Sequence, residues 1–387
     1  MRALPALSPD RQPVIVAARR SAIGRAGGMF REVEVEDLAA PVMRAVVEDA
    51  GLSPNEIDDV ILGNAAGPGG NIARLSALTA WGNVAIPGVT TDRQCGAGLE
   101  AVIHACRMIQ AGAGEVYVAG GVESHSRKPT RALPGGAPYG RARFSTDEIG
   151  DPDMGLAAEN VARHYDVSRT RQDAFALQSH ARAKAAQASG AFASEIVPIH
   201  GNVHDECPRD DLSLERLARL RPAFAKDGTV TVANSCPLND GAAALMVTSA
   251  GRARALGHKT ALAFEDAAAA GVDPNHLGIG PVASTQKLLQ RRPDLSLDQL
   301  THLEFNEAFA AQVLASLDQL GLSDDLPNPQ GGAVALGHPF GASGAILVTR
   351  LFSQLIRTPT PDTSLAMAMI GIGGGMGLTA AFRPRVL

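Results

Sequence analysis

Asp92-Arg93-Gln94-Cys95-Gly96-Ala97-Gly98-Leu99-Glu100 and Gly337-His338-Pro339-Phe340-Gly341-Ala342-Ser343-Gly344 decide how this chain is read. A shift of 243 residues lays the second stretch on the first, with Gly98 on Gly341 and Cys95 on His338. The same shift carries Ile103 onto Ile346 and Arg107 onto Arg350. Further upstream it carries Leu52-Ser53 onto Leu295-Ser296, Ile57 onto Leu300, Val60 onto Leu303 and Ala65 onto Ala308. One offset serving two separated segments is the mark of an internal repeat.

Each copy reads as alternating strands and helices. Pro13 to Ala18 is a short apolar run, so a buried strand, and Asp59 to Leu62 is strand-like. Glu36 to Gly51 places Leu38, Val42, Val46 and Val47 at helical spacing, and Gly51 suits its end. Ala73 to Trp81 and Gly98 to Ala111 read as helices, and Glu115 to Ala119 as a strand closing on Gly120-Gly121. Such alternation predicts an α/β fold with a mixed sheet covered by helices. From Val122 to Ala233 the texture changes to Arg, Asp, Pro and Gly, with two polar-faced helices at Asp153 to His164 and Ser168 to Ser189. Apolar core resumes over Asn234 to Ser249. The predicted organisation is an N-terminal half (1–121 with 236–258), an inserted loop domain (122–235) and a C-terminal half (259–387).

The composition removes several classes of function. The chain has 387 residues, 45% hydrophobic and 19% charged, which is globular. Only 4% is aromatic, so Ala, Val, Leu and Ile must build the core. With 35 Lys and Arg against 40 Asp and Glu, the net charge of −5 gives no electrostatic case for binding nucleic acid. Four Cys without metal spacing form neither a disulfide framework nor a metal site, and a reduced, cytoplasmic protein is expected. Met1 to Arg11 lacks the apolar segment of a signal peptide, and Arg385-Val386-Leu387 is not a peroxisomal address. Ser364 to Phe382 is uncharged and long enough to span a bilayer, but its five glycines predict two buried strands joined by a turn.

Four motifs carry candidate chemistry. Cys95 at the mouth of a helix would meet the positive end of the dipole, which lowers a thiol pKa towards neutrality. Cys106, three turns further along the apolar stripe, reads as core. His338, held between Gly337 and Pro339, could take a thiol proton. Asn306, in Asn306-Glu307-Ala308-Phe309-Ala310, could polarise a thioester oxygen or simply cap a helix. Gly371-Ile372-Gly373-Gly374-Gly375-Met376-Gly377 could present bare amides to an oxyanion or be a tight hairpin; a phosphate loop would need a following Gly-Lys-Ser/Thr.

Taken together these segments resemble the thiolase family. The resemblance extends over Gly120-Gly121-Val122-Glu123-Ser124, Met154-Gly155, Ala158-Glu159-Asn160, Leu220-Arg221-Pro222-Ala223-Phe224 and Asn239-Asp240-Gly241-Ala242-Ala243. It implies two similar αβαβα halves and an acyl-CoA acyltransferase that makes or cleaves a 3-oxoacyl-CoA. Cys95 would be the acylated nucleophile and His338 its base. Asn306, through a water, would join His338 in one oxyanion hole, and the amides of Cys95 and Gly373 would form the other. The inserted domain would carry coenzyme A, with Arg209 at a phosphate and Cys236 in place of a serine beside the pantetheine arm. Met154 and Phe309 would line the acyl pocket. The resemblance implies at least a dimer. The short segment from Ser124 to Met154 favours a homodimer, with a homotetramer open. It implies coenzyme A as substrate and product, with no metal, redox cofactor or membrane partner.

The chain departs from the family at Gly371, where thiolases carry a second cysteine that moves the α-proton of the acyl group. Three substitutes are open: His125, which stands where the family has Met; Cys236; and a substrate that needs no base because decarboxylation generates the carbanion. Asp92, Ala97 and Asp153 are further departures. The alternatives to a thiolase are therefore a decarboxylating Claisen synthase, an acyltransferase to another acceptor, or a family member kept for binding alone.

Overall fold

The computed structural model describes residues 8–358, 360, 361 and 363–387. Most of the Met1 to Arg11 stretch thus lies outside the described residues. The longer strands are β1 (Pro13–Arg20), β2 (Asp59–Gly63), β3 (Gly88–Thr91), β4 (Val116–Ser124), β5 (Asn239–Ser249), β6 (Thr260–Gly271), β7 (Leu300–Phe305), β8 (Leu365–Ile372) and β9 (Met376–Val386). The larger helices are α1 (Val35–Asp49), α2 (Ile72–Trp81), α3 (Ala97–Ala111), α4 (Met154–His164), α5 (Arg169–Ala188), α6 (Gly280–Arg291), α7 (Ala310–Leu320) and α8 (Phe340–Phe352).

The sheet order β7-β8-β9-β6-β1-β5-β4-β2-β3 contains one pattern twice. In the N-terminal half β2 is parallel to β4, and β5 is antiparallel to both β4 and β1. In the C-terminal half β7 is parallel to β8, and β9 is antiparallel to both β8 and β6. Even the fifth position is echoed: β3 runs parallel to β2, and Pro327 makes a parallel bridge to Leu303 of β7. The halves join where Val14 and Ile15 of β1 pair with Ala263 and Leu262 of β6. The repeat reaches into the turns. The Ser53 amide donates to Glu56 (2.8 Å), and the Ser296 amide donates to Gln299 (3.4 Å).

Helices α3 and α8 form the central layer. From Gly341 to Phe352 every side of α8 is buried, as expected of a helix apolar all round. It touches strands of both halves, while α1 and α6 cover the outer faces. Close contact needs small residues: a Cβ on Gly98 would stand 2.5 Å from the Gly341 carbonyl, and one on Gly344 2.3 Å from the Leu99 amide. This crossing sets the relative position of the two helix starts.

Two expectations need correction. The strand predicted to close on Gly120-Gly121 continues through both to Ser124. A Cβ on Gly121 would lie 1.9 Å from the Gly341 carbonyl, so glycine serves helix contact there and ends nothing. The apolar return at Asn234 is not yet sheet; residues 234–236 run beside the chain at 308–310, and β5 begins at Asn239. The uncharged stretch is a hairpin of β8 and β9, and no helix among the described residues is long and apolar enough to cross a membrane.

The segment between β4 and β5 carries α4 and α5 and is tied to the sheet by buried ions. Arg20 of β1 donates to Glu195 (2.7 Å) and forks onto Asp205 (2.7 and 2.9 Å). Arg350 of α8 also reaches Glu195, and both guanidinium groups stand over the Phe192 ring (5.1 and 4.6 Å to its centre). With both signs matched in the interior, removing one member would strand a buried charge.

Candidate active site

Cys95 and His338 each stand two residues before the start of a central helix, α3 and α8 respectively. Both line a mainly apolar cavity of about 460 Å3. Met154, Gly155 and Ala158 of α4 form another part of its lining, with Phe309, Phe224, Cys236, Gly371 and Gly373. Phe224 packs edge-on against Phe309, ring centres 6.0 Å apart.

The loop before α3 is held tightly. Gln94 has φ 49°, its amide donates to Asp92 (2.8 Å), and the Gly96 amide donates to the Arg93 carbonyl (3.0 Å). The helix-end expectation for Cys95 has the wrong sign. Burial pushes its thiol up to about 12, against the opposing pull of the Gly373 amide and its own amide. Desolvation of the thiolate outweighs the helix end, so the resting sulfur is protonated and needs a base. The hairpin brings the Gly373 amide to the sulfur. That hairpin turns through Gly374 (φ 83°) and Gly375 (φ 77°), and Phe144 packs on it, 2.7 Å from where a Cβ on Gly373 would stand.

His338 is 1% exposed, and its surroundings fix its tautomer. Ser343 Oγ donates its proton to the Pro339 carbonyl (3.0 Å), so it accepts from the Nδ1–H of His338 (2.5 Å). That leaves the Nε2 lone pair free, with the Asn306 side-chain amide donating towards it at 3.4 Å. Burial, helped by nearby His125, holds the imidazole pKa down at about 3. A neutral imidazole with an open Nε2 is the form that can accept a thiol proton. The His338 amide donates to Asn239 Oδ1 (2.8 Å), and Gly337 (φ 116°) lies so close that a Cβ there would sit 2.5 Å from the Asn239 amide group.

Asn306 is not the cap of α7, which is Phe309. Its amide donates to Met369 of β8 (2.9 Å), which places it at the strand end beside His338. The next residue, Glu307, is buried and accepts from Ser179 (2.7 Å), Asn328 (2.7 Å) and the Val334 amide (3.0 Å). Glu123 does similar work on the other side, accepting from the Ala65 (3.0 Å), Ala66 (3.1 Å) and Gly341 (3.0 Å) amides. These carboxylates brace the loops around both helix starts.

Not every candidate reaches the cavity. His125 is absent from its lining; its ring packs edge-on against Phe340 at 4.5 Å and its Nε2 has no partner among the described residues. Arg209 is half exposed, with its guanidinium on Asp211 (3.3 Å). Cys106 is core, 0% exposed. Among the described residues no cluster of three or more His, Cys, Asp or Glu could hold a metal. Sequence reading missed Asn239, Ser343 and Gln312 as supports of the site. Ser343 had a signal, a hydroxyl one turn into the helix that follows His338.

At Gly371 a Cβ would meet nothing nearer than Gln312 Nε2 at 3.5 Å. The backbone thus leaves ordinary room for a side chain that the sequence does not supply.

Comparison with known proteins agrees with this geometry. Residues 13–251 match the family model "Thiolase, N-terminal domain", and residues 258–383 match "Thiolase, C-terminal domain". "Putative acetyl-CoA C-acetyltransferase YhfS" of Bacillus subtilis is 46% identical over 95% of this chain and 98% of its own length. "Putative acetyl-CoA C-acetyltransferase VraB" of Staphylococcus epidermidis is 45% identical over 96% and 98%. The crystal structure of the Bacillus anthracis acetyl-CoA acetyltransferase superposes with TM-score 0.88 at 37% identity, covering 97% of this chain and 99% of that one. With both domain models matched across a doubled α/β frame, the chain belongs to the thiolase family and is an acyltransferase of that family.

Proposed function

We propose that the protein exchanges acyl groups between acyl-CoA thioesters through an acyl-Cys95 intermediate, forming or cleaving a 3-oxoacyl-CoA. The observation that carries this reading is the shared cavity of a protonated Cys95 and a neutral His338 whose Nε2 is unprotonated. His338 takes the thiol proton as sulfur attacks the thioester carbonyl, then returns it to the departing coenzyme A thiolate. The tetrahedral oxygen is met by the amides of Cys95 and Gly373. In the second half, His338, once protonated at Nε2, and a water held by Asn306 donate to the thioester oxygen of the acceptor. Met154 and Phe309 bound the acyl chain, in a cavity large enough for more than two carbons. The segment between β4 and β5 holds coenzyme A, with Cys236 beside the pantetheine arm and Arg209 at a phosphate. The protein works in the cytoplasm as a homodimer. Strand β3, paired on one side by β2 and lying at the sheet edge, offers the self-complementary contact.

Intact-mass measurement after incubation with acetyl-CoA tests the first step. One acetyl group per chain, absent in Cys95→Ala, is expected; a protein that stays unmodified with acetyl-CoA and longer acyl-CoAs contradicts it.

Gly371 favours a second reading, condensation driven by loss of carbon dioxide or acyl transfer to a different acceptor, because no side chain there can move an α-proton. Thiolysis of acetoacetyl-CoA separates the two. Turnover at ordinary enzyme rates supports the first reading, and acyl-Cys95 formation without thiolysis supports the second.

A further inference from the structure

Resting on that reading, the bond between an α-carbon and a carbonyl carbon cannot form until a proton leaves the α-carbon. Gly371 has no atom to take it. Two cysteines line the cavity, Cys95 and Cys236, and the other titratable groups in its lining are His338 and Asp153. Asp153 points largely to solvent, 80% exposed. His338 is needed to carry a proton to Cys95 when the C–S bond breaks.

Cys236 is fixed in the cavity wall by backbone pairing. Its amide donates to the Ala308 carbonyl (3.0 Å), and the Ala310 amide donates to Asn234 (2.9 Å), so residues 234–236 lie flat against the Asn306–Phe309 loop. Its sulfur is close enough to Cys95 that the two thiolates would repel: burial first, and then Cys95, raise the Cys236 thiol. As a thioester Cys95 stays uncharged, so no like charge opposes the ionisation of Cys236 at the stage when a base is needed. A second observation marks this part of the cavity as a polar binding point. Gln312 lines it, is 2% exposed, and its Oε1 has no partner among the described residues. Its Nε2 lies 3.5 Å from where a Cβ on Gly371 would stand.

We propose that Cys236 is the acid/base that takes and returns the α-proton, acting from the 234–236 wall in place of a side chain at 371. With Cys95 acylated, Cys236 gives its thiol proton to His338 Nε2. The resulting thiolate takes the α-proton of the second acyl-CoA and is a thiol again. The carbanion attacks the acyl carbon on Cys95, the C–S bond breaks, and His338 gives its proton to the Cys95 thiolate. All groups end as they began, and the reverse sequence is thiolysis.

The test uses the full chain with acetyl-CoA and acetoacetyl-CoA as probes, comparing wild type, Cys236→Ala and Cys236→Ser. Three quantities are read: acetyl adduct on Cys95 by intact mass, deuterium entry from heavy water into the acetyl-CoA methyl group, and acetoacetyl-CoA thiolysis. Both variants should still form the adduct while exchange and thiolysis fall by ~10²–10⁴-fold, the usual range for a lost general base. Serine keeps the size and polarity needed to touch pantetheine, so a full loss in Cys236→Ser separates proton transfer from binding. Gly371→Cys on the Cys236→Ala background should restore part of the exchange, since a Cβ is tolerated there. Adduct formation with wild-type exchange in Cys236→Ala and Cys236→Ser overturns this assignment alone. A wild type that forms no adduct overturns the reading of the site and this inference with it.

Discussion

The two halves share a topology and differ in what they attach to it. In the N-terminal half, the connection from β4 to β5 leaves at Ser124 and returns at Asn239, carrying α4 and α5. In the C-terminal half, the matching connection is the turn from Ile372 to Met376. One connection builds a wall of the cavity, and the other brings a bare amide to the Cys95 sulfur. The same helix start holds a thiol in one half and an imidazole in the other. A duplicated frame thus supplies two precise positions, and the chemistry comes from letting the copies diverge there. Fold alone would not assign it.

The sharpest way to break this comparison is to remove the C-terminal contribution. His338→Gln should lower acyl transfer by ~10²–10⁴-fold with the fold intact. Steady-state kinetics, with circular dichroism as the folding control, checks this. Because the imidazole stays neutral until about pH 3, the acylation rate of wild type should show no acid limb near the ordinary histidine value of about 6.5. Such a limb in a single-turnover pH profile would contradict the buried, neutral assignment.

The same burial has a stability consequence of known sign. Between the unfolded value of about 6.5 and the folded value of about 3, the unfolded chain binds a proton at His338 that the folded chain refuses. Its contribution is therefore intact above about pH 7 and is lost as pH falls. Denaturant titrations of wild type and His338→Gln should diverge against wild type by about 1.4 kcal/mol per pH unit from pH 6 towards 4. Equal slopes would refute the shift.

A smaller effect compares two glycines of the C-terminal half. Gly337→Ala forces a left-handed conformation and a contact with Asn239, and should cost about 1–3 kcal/mol. Gly371→Ala meets only ordinary contacts and should change unfolding free energy by less than about 1 kcal/mol. Denaturation midpoints for the pair check both figures.

The frame around α3 and α8 was legible because one offset preserved both helix starts and the glycines at their crossing. The matching of β5 with β9 was hidden, because the long connection in the first half breaks that offset. The π-helical stretch Ser353–Arg357, which prolongs α8 ahead of β8, breaks it again. Glycine misled at Gly120-Gly121, where the requirement comes from elements distant in sequence, β5 at Gly120 and α8 at Gly121. The Cys95 pKa was misjudged because a helix-end effect is local and readable, whereas desolvation depends on the whole cavity. Asn239 stood in a motif of the resemblance but nothing local tied it to His338, and Gln312 carried no local signal; their roles arise from what the fold brings beside them.

The central claim is that one thiol and one imidazole, from matching points of two halves, perform acyl transfer together. Rapid-quench measurement of coenzyme A release on mixing the protein with acetyl-CoA tests it most directly. A burst of one coenzyme A per chain, accompanied by acetylated Cys95, is predicted for wild type, abolished in Cys95→Ala and slowed at least ~100-fold in His338→Gln. A burst of unchanged size and rate in either variant would contradict the account.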